Sequence, residues 1–148
     1  MAQKINVTRE DYKVRYPINT RWMDNDIYGH VNNAAYYSYF DTAANTFLIN
    51  HCGLDIHNGE VIGLVVSSGC EYIAPIAFPE KIEVGLRIDR LGNSSVQYGL
   101  AIFKENEPQA CAFGHFTHVF VNRLSNRPTK LSSEMRRSME KITVAEAE

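Results

Sequence analysis

The chain has 148 residues, 45% of them hydrophobic and 22% charged, with a formal net charge of −2. That length fits one domain able to bury roughly 68–70% of its unfolded surface, and the composition excludes intrinsic disorder for the bulk. The 15 basic residues are spread along the chain, which excludes the concentrated basic face of a general nucleic-acid binder.

Residues 1–11 predict a loose polar arm, without the apolar stretch of a secretory signal. From Val14 the apolar residues alternate: Val14, Tyr16 and Ile18, then Trp22, with Lys13, Arg15, Asn19 and Arg21 between them. Period two predicts a half-buried strand, and Pro17 marks it as an edge strand or a bulged one. A turn from Asp24 to Gly29 breaks the pattern. From Asn33 to about Asn50 the period changes: Tyr36, Phe40, Ala43, Ala44 and Phe47 fall on one helical face, with Ser38, Thr42, Asn45 and Thr46 as a narrow polar stripe. A helix of about 18 residues is roughly 27 Å long. Tyr37, Leu48 and Ile49 widen its apolar surface, so most of its circumference needs cover. Asn32 or Asn33 suits the N-cap, and Gly53 suits the left-handed position after the last turn.

After a loop at 54–60 the chain predicts mostly strand. Val61–Ile73 is nearly continuous apolar and β-branched residues up to its serines and Gly69, the pattern of a strand covered on both faces. Its apolar run to Val66, interrupted by Gly63, is far shorter than the ~20 residues that span a bilayer. Residues 74–80, with Pro75 and Pro79, connect. Lys81–Arg90 alternates with Ile82, Val84, Leu86 and Ile88 inward, Gly92-Asn93-Ser94 turns, and Val96, Tyr98, Leu100 and Ile102 continue inward in the partner strand. A turn at 104–108 leads to a third strand, Gln109–Val121, apolar on both faces and so expected in the interior of the sheet or beneath a partner. Ser132–Lys141 predicts a short exposed helix, and 142–148 a polar tail. A helix with so much apolar circumference cannot lie on a flat sheet. The expected fold is α+β, one domain over 1–148, with a curved antiparallel five-stranded sheet wrapped on a long central helix.

Three cysteines (Cys52, Cys70 and Cys111) at irregular spacing, with no CxxC pair, suit neither a disulfide framework nor a zinc site and point to a reducing, cytoplasmic compartment. His115 and His118, three apart in a strand, face opposite sides, so no metal-ligand spacing is satisfied. Neither a metal nor a cofactor is expected.

The segment with the most chemistry is Asp26-Ile27-Tyr28-Gly29-His30-Val31-Asn32-Asn33. It sets a carboxylate on a turn that runs through a glycine into a helix N-terminus. The first helical turn presents unpaired N–H groups and the positive end of the helix dipole, about half a charge. Such an end can hold a thioester carbonyl and stabilise the oxyanion that forms on it, while a carboxylate beside it acts as nucleophile or as base toward water. Capping and turn formation alone also account for these residue types. There is no GxSxG elbow, Walker A run or GxGxxG fingerprint.

Residues 22–47, WMDNDIYGHVNNAAYYSYFDTAANTF, closely resemble the signature of hotdog-fold acyl-CoA thioesterases of the 4-hydroxybenzoyl-CoA thioesterase superfamily. The run from Asp26 to Tyr36 is also similar to the HVNN motif of acyl-ACP thioesterases. Ser68 to Pro75 looks like the family's second strand with its E-Y-x-A-P exit, and Arg127 to Leu131 resembles the stretch before its C-terminal helix.

The resemblance implies a hotdog fold and hydrolysis of acyl-CoA thioesters. Asp26 falls on the family's catalytic carboxylate, and Asn33 on the position whose N–H polarises the carbonyl. His30 and Asn32 fall on positions that shape the site, with Gly29 and Tyr36 beside them. Family sites lie between subunits, so a homodimer or homotetramer is expected, with Ser67, Ser68 and Gly69 as the wall lent by the neighbouring chain. Arg90 and Arg127 are the first candidates to grip the phosphates of CoA. The polar run His30–Asn33 departs from the 4-hydroxybenzoyl-CoA branch itself, where a less polar run follows the Asp. The acyl group is therefore left open. The alternatives are an acyl-ACP thioesterase, a hydratase or dehydratase of the same fold, and a non-catalytic acyl-CoA binding module. The second resembles an Asp and a His five apart, whereas Asp26 and His30 are four apart.

Overall fold

The computed structural model describes residues 7–144. In chain order the elements are β1 (Val14–Asn19), α1 (Asn33–His51), β2 (Val61–Tyr72), β3 (Lys81–Leu91), β4 (Ser95–Lys104), β5 (Ala112–Asn122) and α2 (Ser133–Glu140). The strands form one antiparallel sheet in the order β1-β3-β4-β5-β2. The sheet curls around α1 and α2 packs at one end, which is the hotdog fold.

Helix α1 buries Tyr36, Tyr39, Phe40, Ala43, Ala44, Phe47 and Leu48. Against them the inner face of the sheet sets Ile82, Val84, Leu86 and Ile88 of β3, Val96, Tyr98, Leu100 and Ile102 of β4, and Phe116 and Phe120 of β5. Each fully buried Leu or Phe here is worth about 1.5–3 kcal/mol. Asn32 caps the helix through its side-chain oxygen, which accepts the Ala34 N–H at 2.9 Å, and Gly53 follows the last turn at φ +69°. Ile49 is 43% exposed, so the apolar circumference is narrower than its sequence suggests. A smaller cluster of Tyr12, Ala101, Phe103 and Ala110 covers part of the outer face.

Several expectations need correction. Trp22 does not continue β1. A tight turn at Trp22–Asp24 interrupts the strand, closed by the Asp24 N–H donating to the Arg21 carbonyl, and the indole is 76% exposed. Of the expected arm, 1–6 lie outside the described residues, but 7–11 are tied down: Arg9 pairs with Glu83 and donates to the carbonyls of Lys104 and Glu107. Of the expected tail, 145–148 lie outside the described residues, whereas Ile142 is buried and Val144 N–H donates to Ile88. Met135 and Met139 of α2 are buried too.

The largest departure is β2. It is not covered on both faces but forms an edge of the sheet, with Leu64, Val65 and Val66 at 42, 47 and 60% exposure. Its register with β5 shifts between Val65 and Ser67, which makes Val66 the extra residue of a bulge. Among the described residues, no helix is long and apolar enough to cross a membrane.

Candidate functional site

The loop entering α1 is closed on itself before the helix begins. Asn25 and Val31 form an isolated antiparallel bridge, and the Asp26 N–H donates to the His30 carbonyl at 2.8 Å. Between them the chain reverses through Ile27, Tyr28 and Gly29. Gly29 sits at φ +80° with open space where a Cβ would stand, so glycine is needed for its backbone angle and not for room. The loop is pinned to the rest of the molecule on two sides. Val31 N–H donates to Ile76 at 2.7 Å, and Phe78 N–H to the Asn25 side chain at 3.0 Å.

Asp26 is half-buried on this closed turn, which ends two residues before α1. One of its oxygens, Oδ1, accepts the Tyr28 N–H at 2.8 Å, and Oδ2 has no partner among the described residues. At the helix mouth the Ala34 N–H is taken by the Asn32 side chain and the Ala35 N–H by the Asn32 carbonyl. The Asn33 N–H, at the first helical residue, has no partner among the described residues. A carboxylate oxygen on the closed turn and the amide of the first helical residue therefore remain free within eight residues of sequence.

Asp24, two residues earlier, is different. It is 4% exposed and fully engaged: Oδ2 accepts the Tyr39 hydroxyl at 2.7 Å and the Arg21 N–H at 2.9 Å, and Oδ1 accepts the Arg21 guanidinium at 3.0 and 3.2 Å. Burial acts to raise its carboxyl, but the bonds from Tyr39 and Arg21 outweigh it and hold the group below its ordinary value. The Tyr39 hydroxyl is pushed up, by burial first and then by this carboxylate. The Asp24 carbonyl accepts the N–H of Asn32, the helix cap.

Beside the helix start lies a cleft of about 290 Å³ lined by His30, Val31, Asn33, Tyr36, Tyr72, Ile73, Ala74 and Pro75. Tyr36 and Tyr72 form its aromatic wall, with ring centroids 4.8 Å apart, and the Tyr72 hydroxyl donates to the Asn33 carbonyl at 3.1 Å. Burial raises the Tyr36 hydroxyl to about 12, so it stays protonated at neutral pH. His30, Asn33 and Tyr36 thus line one cleft, with Asn32 and Gly29 in the segment that enters the helix. Asp26 is not among the residues lining this cleft.

The remaining candidates lie apart. Ser67 and Ser68 are exposed on β2, and Ser67 Oγ is 3.4 Å from His115 Nε2. Gly69 pairs with His115, whose ring lies against it. Arg90 and Arg127 lie far from the helix mouth of their own chain. Arg127 adjoins Asn122, which pairs with Val61 at the opposite end of β2 from Tyr72, and Arg90 lies at the end of β3 remote from Lys81. At about 3.3 Å per residue, some 30 Å separates them from the helix mouth within one chain.

Sequence reasoning missed Tyr39, Tyr72 and the anchoring role of Asp24. No sequence motif marks Tyr39, whose hydroxyl partner is fifteen residues away. The E-Y-x-A-P exit was the available signal for Tyr72. Among the described residues, no group of three or more His, Cys, Asp or Glu side chains is placed to hold a metal ion.

Residues 28–111 match the family described as the thioesterase superfamily. A search of curated proteins finds no match. Among solved structures, the PA5185 protein of Pseudomonas aeruginosa strain PAO1 is 57% identical over 97% of this chain and 100% of its own, with a TM-score of 0.94. The PA2801 protein of Pseudomonas aeruginosa, which carries a provisional thioesterase assignment, is 30% identical over 84% of this chain and 95% of its own, with a TM-score of 0.79. A thioesterase of Thermus thermophilus, solved with coenzyme A and zinc, is 26% identical over 86% of this chain and 98% of its own, with a TM-score of 0.74.

Proposed function

Since the chain belongs to the thioesterase superfamily and is thereby a thioester hydrolase, we propose that it cleaves acyl-CoA thioesters to a free acid and CoA, with Asp26 as the catalytic carboxylate. One observation carries the reading: the free Oδ2 of Asp26 stands on the turn closed by the Asp26–His30 bond, and that turn leads directly to the free N–H of Asn33 at the start of α1. The coenzyme A held by the Thermus relative supports CoA as the carrier.

In this reading the thioester carbonyl oxygen docks on the Asn33 N–H, where the helix dipole adds to the polarisation. Asp26 then works in one of two ways. As a base it takes a proton from water while the water oxygen bonds to the carbonyl carbon. Collapse of the oxyanion breaks the C–S bond, and the proton passes from Asp26 to the departing sulfur. As a nucleophile Oδ2 itself bonds to the carbon and expels the thiolate, and water then hydrolyses the mixed anhydride. Both routes need an ionised Asp26. His30 and Asn32 shape the loop, Gly29 allows its reversal, and Tyr36 with Tyr72 walls the acyl side.

A second copy of the chain completes the site. The exposed edge β2 presents unpaired backbone groups and the apolar Leu64, Val65 and Val66, a surface that pairs readily with another chain. Pairing there supplies Ser67, Ser68 and Gly69 as the partner's wall, in a homodimer or a homotetramer. The site acts without a cofactor.

The test is Asp26→Asn, assayed by free-thiol release from a panel of acyl-CoA esters varied in chain length and aromaticity. The variant keeps fold and oligomer and loses at least about a hundredfold in rate, the lower end of general acid–base contributions. An undiminished rate would remove Asp26 from the chemistry. Binding of CoA esters by the unmodified protein with no thiol released would make it a binding module.

A further inference from the structure

We propose that Asp24 is a positioning residue for the reaction: through Tyr39 and Arg21 on one side and the Asn32 N–H on the other, it fixes the backbone that carries Asp26 against the mouth of α1. The inference rests on the assignment of Asp26 as the catalytic carboxylate.

The geometry distinguishes Asp24 from a residue that only fills space. A buried carboxylate is costly unless its oxygens are satisfied, and an apolar side chain could occupy the same volume without that penalty. Here both oxygens are satisfied, by four donors. The Tyr39 bond reaches the second turn of α1, whereas the main-chain bond from Asn32 N–H to the Asp24 carbonyl holds the first residue before the helix. One residue therefore fastens the entering strand to the helix at two heights. Asp26 leaves this clamp after a single intervening residue, Asn25, itself pinned by the Phe78 N–H. The direction in which Asp26 points is set by the clamp.

The arrangement also sorts charge. Two carboxylates two residues apart would compete for the same positive helix end, but the guanidinium of Arg21 and the hydroxyl of Tyr39 absorb the charge of Asp24. Asp26 is left as the loop carboxylate with no ion-pair partner among the described residues.

The experiment uses the full chain with Tyr39→Phe and Asp24→Asn. Tyr39→Phe keeps the ring and the carboxylate and deletes one hydroxyl, so it remains informative should Asp24→Asn not fold. Expected in both variants is a fall in kcat of at least about tenfold with KM moved less than about threefold, because a misplacement near 1 Å can cost up to a hundredfold in rate. Amide exchange followed by NMR should quicken at Asn32 while the amides of the β3–β4 ladder hold. Unchanged kcat and unchanged Asn32 exchange would overturn the proposal. So would a loss of kcat accompanied by equal quickening across β3 and β4, which is general destabilisation. If the unmodified protein hydrolyses no thioester, the catalytic assignment falls, and Asn32 exchange alone then decides the clamp: quickening supports it and constancy overturns it.

Discussion

Replacing His118 by glutamine should flatten the acid side of the stability curve, and the size of the effect can be worked from the structure. The imidazole is 2% exposed, ringed by Tyr98, Phe116 and Phe120, with Nδ1 3.1 Å from the Tyr98 hydroxyl. Burial lowers its pKa from 6.5 to about 4, against a smaller opposing pull from Asp41. An unfolded histidine titrates near 6.5. Between these values the unfolded chain binds a proton that the folded chain refuses. Stability is therefore complete above roughly pH 6.5 and drains away as the pH falls toward about 4. At about 1.4 kcal/mol per pH unit, a gap of some 2.5 units removes on the order of 3 kcal/mol, a large part of an ordinary 5–15 kcal/mol. The assay is urea unfolding from pH 8 to pH 4 at fixed protein concentration. Glutamine can still hydrogen-bond to Tyr98 but does not titrate. The unmodified protein should lose about 3 kcal/mol across the window and His118→Gln much less. Equal slopes for the two would show that the proton is taken up elsewhere. The depressed carboxyl of Asp24 acts lower, its contribution being present above the ordinary carboxylate range and lost as pH falls below it, so the two windows separate.

Asn32→Ala should remove the cap on Ala34 and cost about 1 kcal/mol, read as a melting temperature lower by about 2–4 °C, whereas Asn32→Asp should keep the melting point. Gly114→Ala should be far more damaging than its size suggests, because the new Cβ would stand 2.0 Å from the Gly69 carbonyl oxygen. The β2–β5 ladder must part to admit it, and calorimetry should show a fall of several degrees, consistent with about 1–3 kcal/mol of overpacking. Lysine at Val65 and Val66 together should yield monomers in sedimentation and abolish thiol release, since charges on an edge strand block pairing. An oligomer that persisted would place the interface elsewhere.

Much of the fold is legible because burial enforces period. The helix from Asn33, the alternation of β3 and β4 and the cap at Asn32 are all dictated by local chemistry and a single buried face. The β2 strand is the instructive exception. Its run from Val61 to Val66 carries no polar alternation, which in sequence means cover on both faces, yet Leu64, Val65 and Val66 stand exposed on the edge of the sheet. Apolar periodicity records the burial a segment suits without recording its place in the sheet. The clamp around Asp24 was hidden for another reason. Tyr39 lies on the helical stripe for its apolar ring, and nothing in its spacing announces that its hydroxyl reaches fifteen residues back. For Arg90 and Arg127 the sequence identifies a chemistry and says nothing about where the sheet will carry it.

The polar residues of the entry loop divide their work so that two groups are left over. Asn32 uses its oxygen on Ala34, Asn25 on Phe78, and Asp24 both of its oxygens on Tyr39 and Arg21. A carboxylate at position 32 would cap the helix as well, and the dipole would welcome it. It would also set an uncompensated negative charge at the helix mouth, where the proposed mechanism has the thioester oxygen become negative. Two like charges 4 Å apart repel by about 4 kcal/mol at the effective dielectric near a protein surface, much of what one oxyanion donor contributes to a rate. A neutral cap avoids that repulsion. Under the proposed mechanism, Asn at 32, with Asp kept for 24, where it is paired, and for 26, the proposed catalytic carboxylate, follows from the chemistry assigned to the helix mouth and not from capping strength.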